Sequence, residues 1–331
     1  MATPVHDCWL KAVQGLYAVP EGYREEHIDR PRALELLRCP ESVLTQLIEA
    51  GLPCSGARGE EVFDRYDLMN LATYSGAGYS VPERSLRFSL RWMSKPPESW
   101  FRPIQWTFSL ECGCGKAIGD QAASAWTVAN PAPGLLDGHM RRLSVRPRDV
   151  LVREASITCR SRGVLGVEAL FEARGRPGEL RAPVLRDIVT EFIQSGYRWV
   201  RLPEPLQVRS EFLHRHGVAT CISASLYLAD RFRESGFEAH TRRGWLLGLL
   251  DLPHSWLEVV DSDGHTKVVD PAFILLAEHA VNPHPSFVKA CVGSWFNKVL
   301  PTHHEADQPV VQHACGDPPC TPHIRINVRK S

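Results

Sequence analysis

The stretch His216 to Phe273, HGVATCISASLYLADRFRESGFEAHTRRGWLLGLLDLPHSWLEVVDSDGHTKVVDPAF, decides the fold and the chemistry expected of this chain. In CISASLYLADRFRESG, Ile222, Leu226, Ala229 and Phe232 fall close to one face at helical spacing before Gly236, which predicts a helix beginning at Cys221. A thiol at a helix N-terminus faces unpaired backbone N–H groups and the positive end of the dipole, and both stabilise thiolate. The same N–H groups can receive a developing oxyanion. FEAHTRRGWLLG reads as a strand that turns at Gly244. HSWLEVV alternates, with His254, Trp256, Glu258 and Val260 on one face and Ser255, Leu257 and Val259 on the other. DSDG then reads as a hairpin turn and HTKVVDP as the returning strand.

Hairpin parity carries a chemical consequence. Residues paired across adjacent strands share a face, with Cβ atoms ~5 Å apart. A loop with an odd number of residues, such as Asp261 to Asp263 or Val260 to Gly264, sets His254 directly opposite Asp270. A two-residue Asp263-Gly264 turn pairs His254 with Phe273 instead and sends Asp270 to the other face. An orienting role for Asp270 therefore requires an odd loop or a bulge. On that condition Cys221, His254 and Asp270 read as a thiol nucleophile, an imidazole base and the carboxylate that orients it.

The Cys, His, Asp order, spaced 33 and 16 residues apart, resembles the transglutaminase-like superfamily, whose core is a papain-like cysteine-enzyme fold. The likeness covers about residues 183 to 280. It is carried by Gly217 and Cys221 at a helix start, Gly236-Phe237-Glu238-Ala239 leading to Gly244, the block from His254 through Trp256 and Glu258 to Val259, and Asp270-Pro271. The resemblance implies that Cys221 is the nucleophile, His254 the general base and Asp270 the orienting acid. Around them, Trp256 is expected to pack beside the imidazole and Glu258 to be a solvated or salt-bridged strand carboxylate. His214 and His216 are expected at the surface or rim, and Trp245 and Trp295 in the core.

Upstream, PRALELLR and PESVLTQLIEAGL read as helices, the second ended by Gly51, followed by a Gly-rich turn and a third helix in VFDRYDLMNLA. Residues 30 to 92 thus resemble the winged helix-turn-helix units of the MerR and excisionase type. Phosphate neutralisation supplies most of the affinity of DNA-binding proteins. The second helix carries Glu41 and Glu49 and no Lys or Arg between Pro40 and Leu52, so a packing or partner-contact role is expected rather than nucleic-acid binding.

Residues 101 to 182 read as a β-rich module, with strands expected at Ile104 to Leu110 and Asp149 to Cys159. Cys112 and Cys114 on a Gly-containing knuckle, answered by Cys159, resemble a degenerate zinc ribbon with three thiols. His139, Cys315 or Cys320 are the candidates for a fourth ligand, and the expectation is a ribbon that has lost its metal or plain buried cysteines. No cofactor and no metal are therefore expected.

The fold class expected is α+β: a helical winged-helix-like unit over 1–100, the β-rich module over 101–182, and a transglutaminase-like catalytic domain with a C-terminal tail over 183–331. Lys plus Arg and Asp plus Glu both number 38, so overall charge points to no polyanionic partner. The opening MATPVHDCWLKAVQGLY lacks the pattern of a secretory signal and no apolar run has membrane-spanning length, so a cytoplasmic protein without membrane contact is expected, its ten cysteines reduced. The chemistry expected is acyl transfer through a thioester, from a peptide, amide or carrier-bound acyl donor to water or an amine, in intracellular processing or biosynthesis. The alternative is a non-enzymatic interaction or regulatory protein whose working end is the helix-turn-helix-like unit.

Overall fold

The computed structural model describes residues 4–114, 125–160, 164–248, 252–315 and 322–331. The protein is mixed α+β, and its contacts divide it into two compact units, each built from three separate segments.

The first unit holds residues 1–94, 195–223 and 275–283. Its helices Arg30–Leu37, Glu41–Glu49 and Arg65–Tyr74 pack with Pro4–Gln14 around Trp9, Leu37, Leu44, Leu47, Phe63 and Leu71. The strands Glu26–Asp29 and Val62–Asp64 pair antiparallel. Local sequence sets these boundaries. Asp64 caps the helix that follows it, accepting from the N–H groups of Tyr66 and Asp67. Gly51, at φ +104°, closes Glu41–Glu49 with the paired bonds of a Schellman turn, Gly51 N–H to Ile48 O and Leu52 N–H to Leu47 O.

The second unit holds residues 95–194, 224–274 and 284–331. One five-stranded antiparallel sheet runs in the order Val292–Gly293, Thr266–Val269, Pro253–Val260, Ala239–Leu246, Val299–Pro301. Its two central strands are buried along nearly their whole length, so both faces of the sheet are covered. Two four-stranded sheets complete the unit. One orders His323–Lys330, Ile104–Gly113, Leu165–Ala173 and His139–Arg146; the other orders Val311–Ala314, Ala125–Ala129, Ser156–Arg160 and Val150–Val152. Alternation in Ile104–Gly113 turns Trp106, Phe108, Leu110 and Cys112 into a core shared with Trp126, Ile157, Phe171 and Trp245.

The strand expected over Asp149 to Cys159 is instead two short strands, folded back by the Arg153 N–H to Ser156 O bond so that Val152 pairs with Ile157. The strand expected to turn at Gly244 runs straight through it to Leu246. The last strands of the chain, Val311–Ala314 and His323–Lys330, each complete one of the four-stranded sheets. Among the described residues, no helix is long and apolar enough to cross a membrane.

Candidate functional site

Cys221 is the first residue of the helix Cys221–Glu234. The start is fixed by a reciprocal cap: Thr220 Oγ1 accepts from the Ser223 N–H at 3.1 Å, and Ser223 Oγ accepts from the Thr220 N–H at 2.9 Å. Just upstream, Val218–Ala219 pairs parallel with Arg198–Trp199, and Gly217 makes the left-handed turn into that strand at φ +68°. Ile222, Ala224, Leu228, Ala229 and Phe232 are buried and hold the helix, while Cys221 is half-buried. The thiol therefore sits at the end where the helix's backbone N–H groups lack intrahelical acceptors.

His254 lies on the strand Pro253–Val260, and Asp270 directly follows the neighbouring strand Thr266–Val269 of the five-stranded sheet. Val260 pairs with Thr266, so the loop is Asp261 to His265, five residues and odd in number. That parity puts His254 and Asp270 on the same face. The register differs from direct opposition, however, because continuing it from Leu257 and Val269 sets Asp270 level with Trp256. Asp261 anchors that loop: its carboxylate accepts from the N–H groups of Arg181, Ala182 and Ser262, and its backbone N–H donates to His265 O. The imidazole bridges the resulting diagonal, with His254 Nε2 2.7 Å from Asp270 Oδ2.

Both side chains are buried, His254 at 6% exposure and Asp270 at 3%. The Asp270 carboxylate is held at both oxygens: Oδ2 meets the imidazole, and Oδ1 accepts from the Phe273 N–H at 3.0 Å, capping the helix Pro271–Leu276. Its backbone N–H donates to Cys291 O. The His254 ring stacks on Phe273, centroids 4.7 Å apart and planes 22° apart, with Trp256 tilted alongside at 5.9 Å. The ring nitrogen that meets Asp270 is Nε2, so Nδ1 is the nitrogen on the other side of the imidazole.

Glu258 is a buried, salt-bridged carboxylate. Arg242 grips it with two bonds, 3.0 Å and 2.7 Å, while His240 Nε2 lies 2.9 Å away and Trp256 Nε1 donates at 3.1 Å. Burial pushes its carboxyl up, but the hydrogen bonds with His240 and Arg242 outweigh burial and hold it at about 2. His240 is raised in turn, chiefly by its bond to Glu258. The network fixes the tilt of Trp256, which packs beside the imidazole.

Two further residues shape the site. Gly244 lies opposite His254 on the adjoining strand, and a Cβ there would sit 2.2 Å from Leu300 O and 2.8 Å from the Trp256 ring. Phe273 supplies the stacking face; its place three residues after Asp270 is the cap position that the Asp-Pro pair announces. Trp245 and Trp295 are buried. His216 is exposed, but His214 is packed against Tyr197, centroids 4.5 Å apart, and burial lowers it to about 4.

The structure thus brings His254 and Asp270 together in the second unit. Cys221 falls among residues 195–223 of the first, and the helix it begins counts with the second from Ala224 onwards. Of the expected zinc-ribbon thiols, Cys112 and Cys159 are buried core residues, and burial pushes Cys112 up to about 12. His139 lies exposed on its strand, and Cys320 lies outside the described residues.

No protein-family model matches the chain, and no curated protein does. Among solved structures, a chain from Cytophaga hutchinsonii described as "a Putative Cysteine Protease" is similar at a TM-score of 0.47 and 9% identity, over 69% of this chain and 91% of that one. A likeness of that size carries no functional argument.

Proposed function

We propose that the protein is a cysteine-dependent enzyme of the transglutaminase-like, papain-like kind, transferring acyl groups through a thioester on Cys221. The observation that supports this most is the buried 2.7 Å bond from His254 Nε2 to Asp270, in a chain whose half-buried Cys221 opens a helix. A carboxylate held at both oxygens fixes the imidazole tautomer and stabilises the imidazolium.

In the proposed reaction the Cys221 thiolate attacks the carbonyl carbon of an amide, ester or thioester, forming a C–S bond and a tetrahedral oxyanion. Collapse breaks the bond to the leaving group, which departs with the proton from His254 Nδ1. His254 then removes a proton from water or an amine as that group attacks the thioester carbonyl. The C–S bond breaks and the thiolate is restored. Water makes the enzyme an amidase or peptidase; an amine makes it an amide-forming acyltransferase. The donor is a peptide, amide or carrier-bound acyl group.

Alkylation with iodoacetamide at mildly acidic pH tests the thiolate. Burial raises Cys39 to about 11 and Cys112 to about 12, and pushes Cys291 well above the ordinary thiol value. Peptide mapping is expected to show Cys221 modified ahead of the other nine cysteines, with the preference lost in His254→Ala. Uniform slow labelling of all ten thiols would contradict the proposal.

A further inference from the structure

We propose that Cys114, His313 and Cys315 form a zinc site at the shared end of the two four-stranded sheets, separate from the chemistry of Cys221. One ligand atom from each of the three residues lies within 4.8 Å of the other two. Cys114 directly follows the strand Ile104–Gly113; His313 is on the strand Val311–Ala314, and Cys315 directly follows it. These strands belong to different sheets, and their pairings end together here: His323 with Gly113 in one, and Ala314 with Ala125 in the other.

The chemistry of the set selects the ion. Two thiolates and an imidazole with no carboxylate suit zinc and disfavour magnesium and calcium, which take oxygen ligands. In a tetrahedral zinc site, Zn–S bonds of about 2.3 Å and Zn–N bonds of about 2.0 Å place neighbouring donors about 3.5 Å apart. Drawing the three atoms in from 4.8 Å takes a movement of about 1 Å, within the range of side-chain rotation. The His313 ring is already held in plane by stacking on the buried Trp126, centroids 3.9 Å apart and planes 24° apart. Cys114 packs against the sheet core, and all three residues are half-buried, which leaves an ion access from solvent. On binding, each thiol gives its proton to solvent, and a fourth donor completes the tetrahedron.

The site has a structural consequence. It would tie the end of the strand Ile104–Gly113 to the strand Val311–Ala314 about 200 residues later, closing a long loop between the two sheets. Metal-binding free energy would then become stability of this β module.

The test uses the full chain purified without a polyhistidine tag. Metal analysis is expected to find about one zinc per chain, and fewer than about one in ten chains loaded in the Cys114→Ser/Cys315→Ser double variant. Cys54→Ser, a half-buried cysteine of the other unit, should retain its zinc. Because the double variant can fail to fold, the wild-type protein is also stripped with a chelator and titrated with cobalt(II). Thiolate-to-cobalt charge-transfer bands with strong tetrahedral d–d absorption support the site. Absence of those bands, undiminished zinc in the folded double variant, or a Cys114–Cys315 disulfide in peptide maps of freshly purified protein would each overturn it.

Discussion

His254 Nε2 and Asp270 Oδ2 lie 2.7 Å apart although Asp270 stands level with Trp256 in the strand register, so the pair is made across a diagonal. The carboxylate reaches the imidazole because its second oxygen is fixed by the Phe273 N–H at the start of the helix Pro271–Leu276.

Asp270 therefore serves two ends that substitution can separate. Asp270→Asn keeps an oxygen for the Phe273 N–H but presents an amide to the imidazole, and is expected to reduce turnover on the order of 10²- to 10⁴-fold with little loss of stability. Asp270→Ala removes the cap as well, which should cost about 1 kcal/mol more in urea unfolding. Equal stability losses in the two variants would contradict the capping role.

Gly244→Ala is expected to destabilise the protein by about 1 to 3 kcal/mol or more, because the new Cβ meets the Leu300 carbonyl, which is backbone, and the Trp256 ring. The Trp256 fluorescence environment should change with it. An unfolding midpoint identical to wild type would show that the sheet accommodates the methyl.

The Glu258 cluster gives stability a pH signature. Glu258 is depressed to about 2 from an ordinary 4.5, so its contribution is fully present above 4.5 and fades as pH falls towards 2. His240 is raised above its ordinary 6.5, so its contribution is present below that value and is lost as pH rises through the raised one. Urea unfolding across this range should show a weaker acid limb in Glu258→Gln. Glu258→Leu, which leaves Arg242 buried without its carboxylate, should cost about 3 to 5 kcal/mol at neutral pH.

Much of this was legible where the determinants are local. The helix from Cys221 follows from the spacing of Ile222, Leu226, Ala229 and Phe232, with the Thr220–Ser223 cap added by the structure, and the alternation of His254 to Val260 sets which residues share a face. The odd loop follows as a requirement and five residues is one of the lengths it allows, but its position, one residue on from Val260 to Gly264, does not, and the contacts that anchor Asp261 come from Arg181 and Ala182, about eighty residues upstream. Gly244 reads as a turn in the sequence because its need for a missing side chain comes from Leu300, on an adjoining strand distant in sequence. The zinc-ribbon reading groups Cys112, Cys114 and Cys159 by the pattern of a knuckle after one strand answered by a cysteine after a later one. Long-range strand pairing buries Cys112 and Cys159 in the core and sets Cys114 beside His313 and Cys315.

The central claim is a thioester on Cys221, and intact-protein mass spectrometry tests it most directly. Wild-type protein exposed to cell extract or to a panel of activated acyl donors, then quenched in acid, should carry one acyl adduct that maps to Cys221. The adduct should be absent in Cys221→Ser, should form far more slowly in His254→Ala, and should disappear when hydroxylamine or an amine acceptor is added. Acylation that maps to another cysteine, or persists undiminished in His254→Ala, would contradict the account.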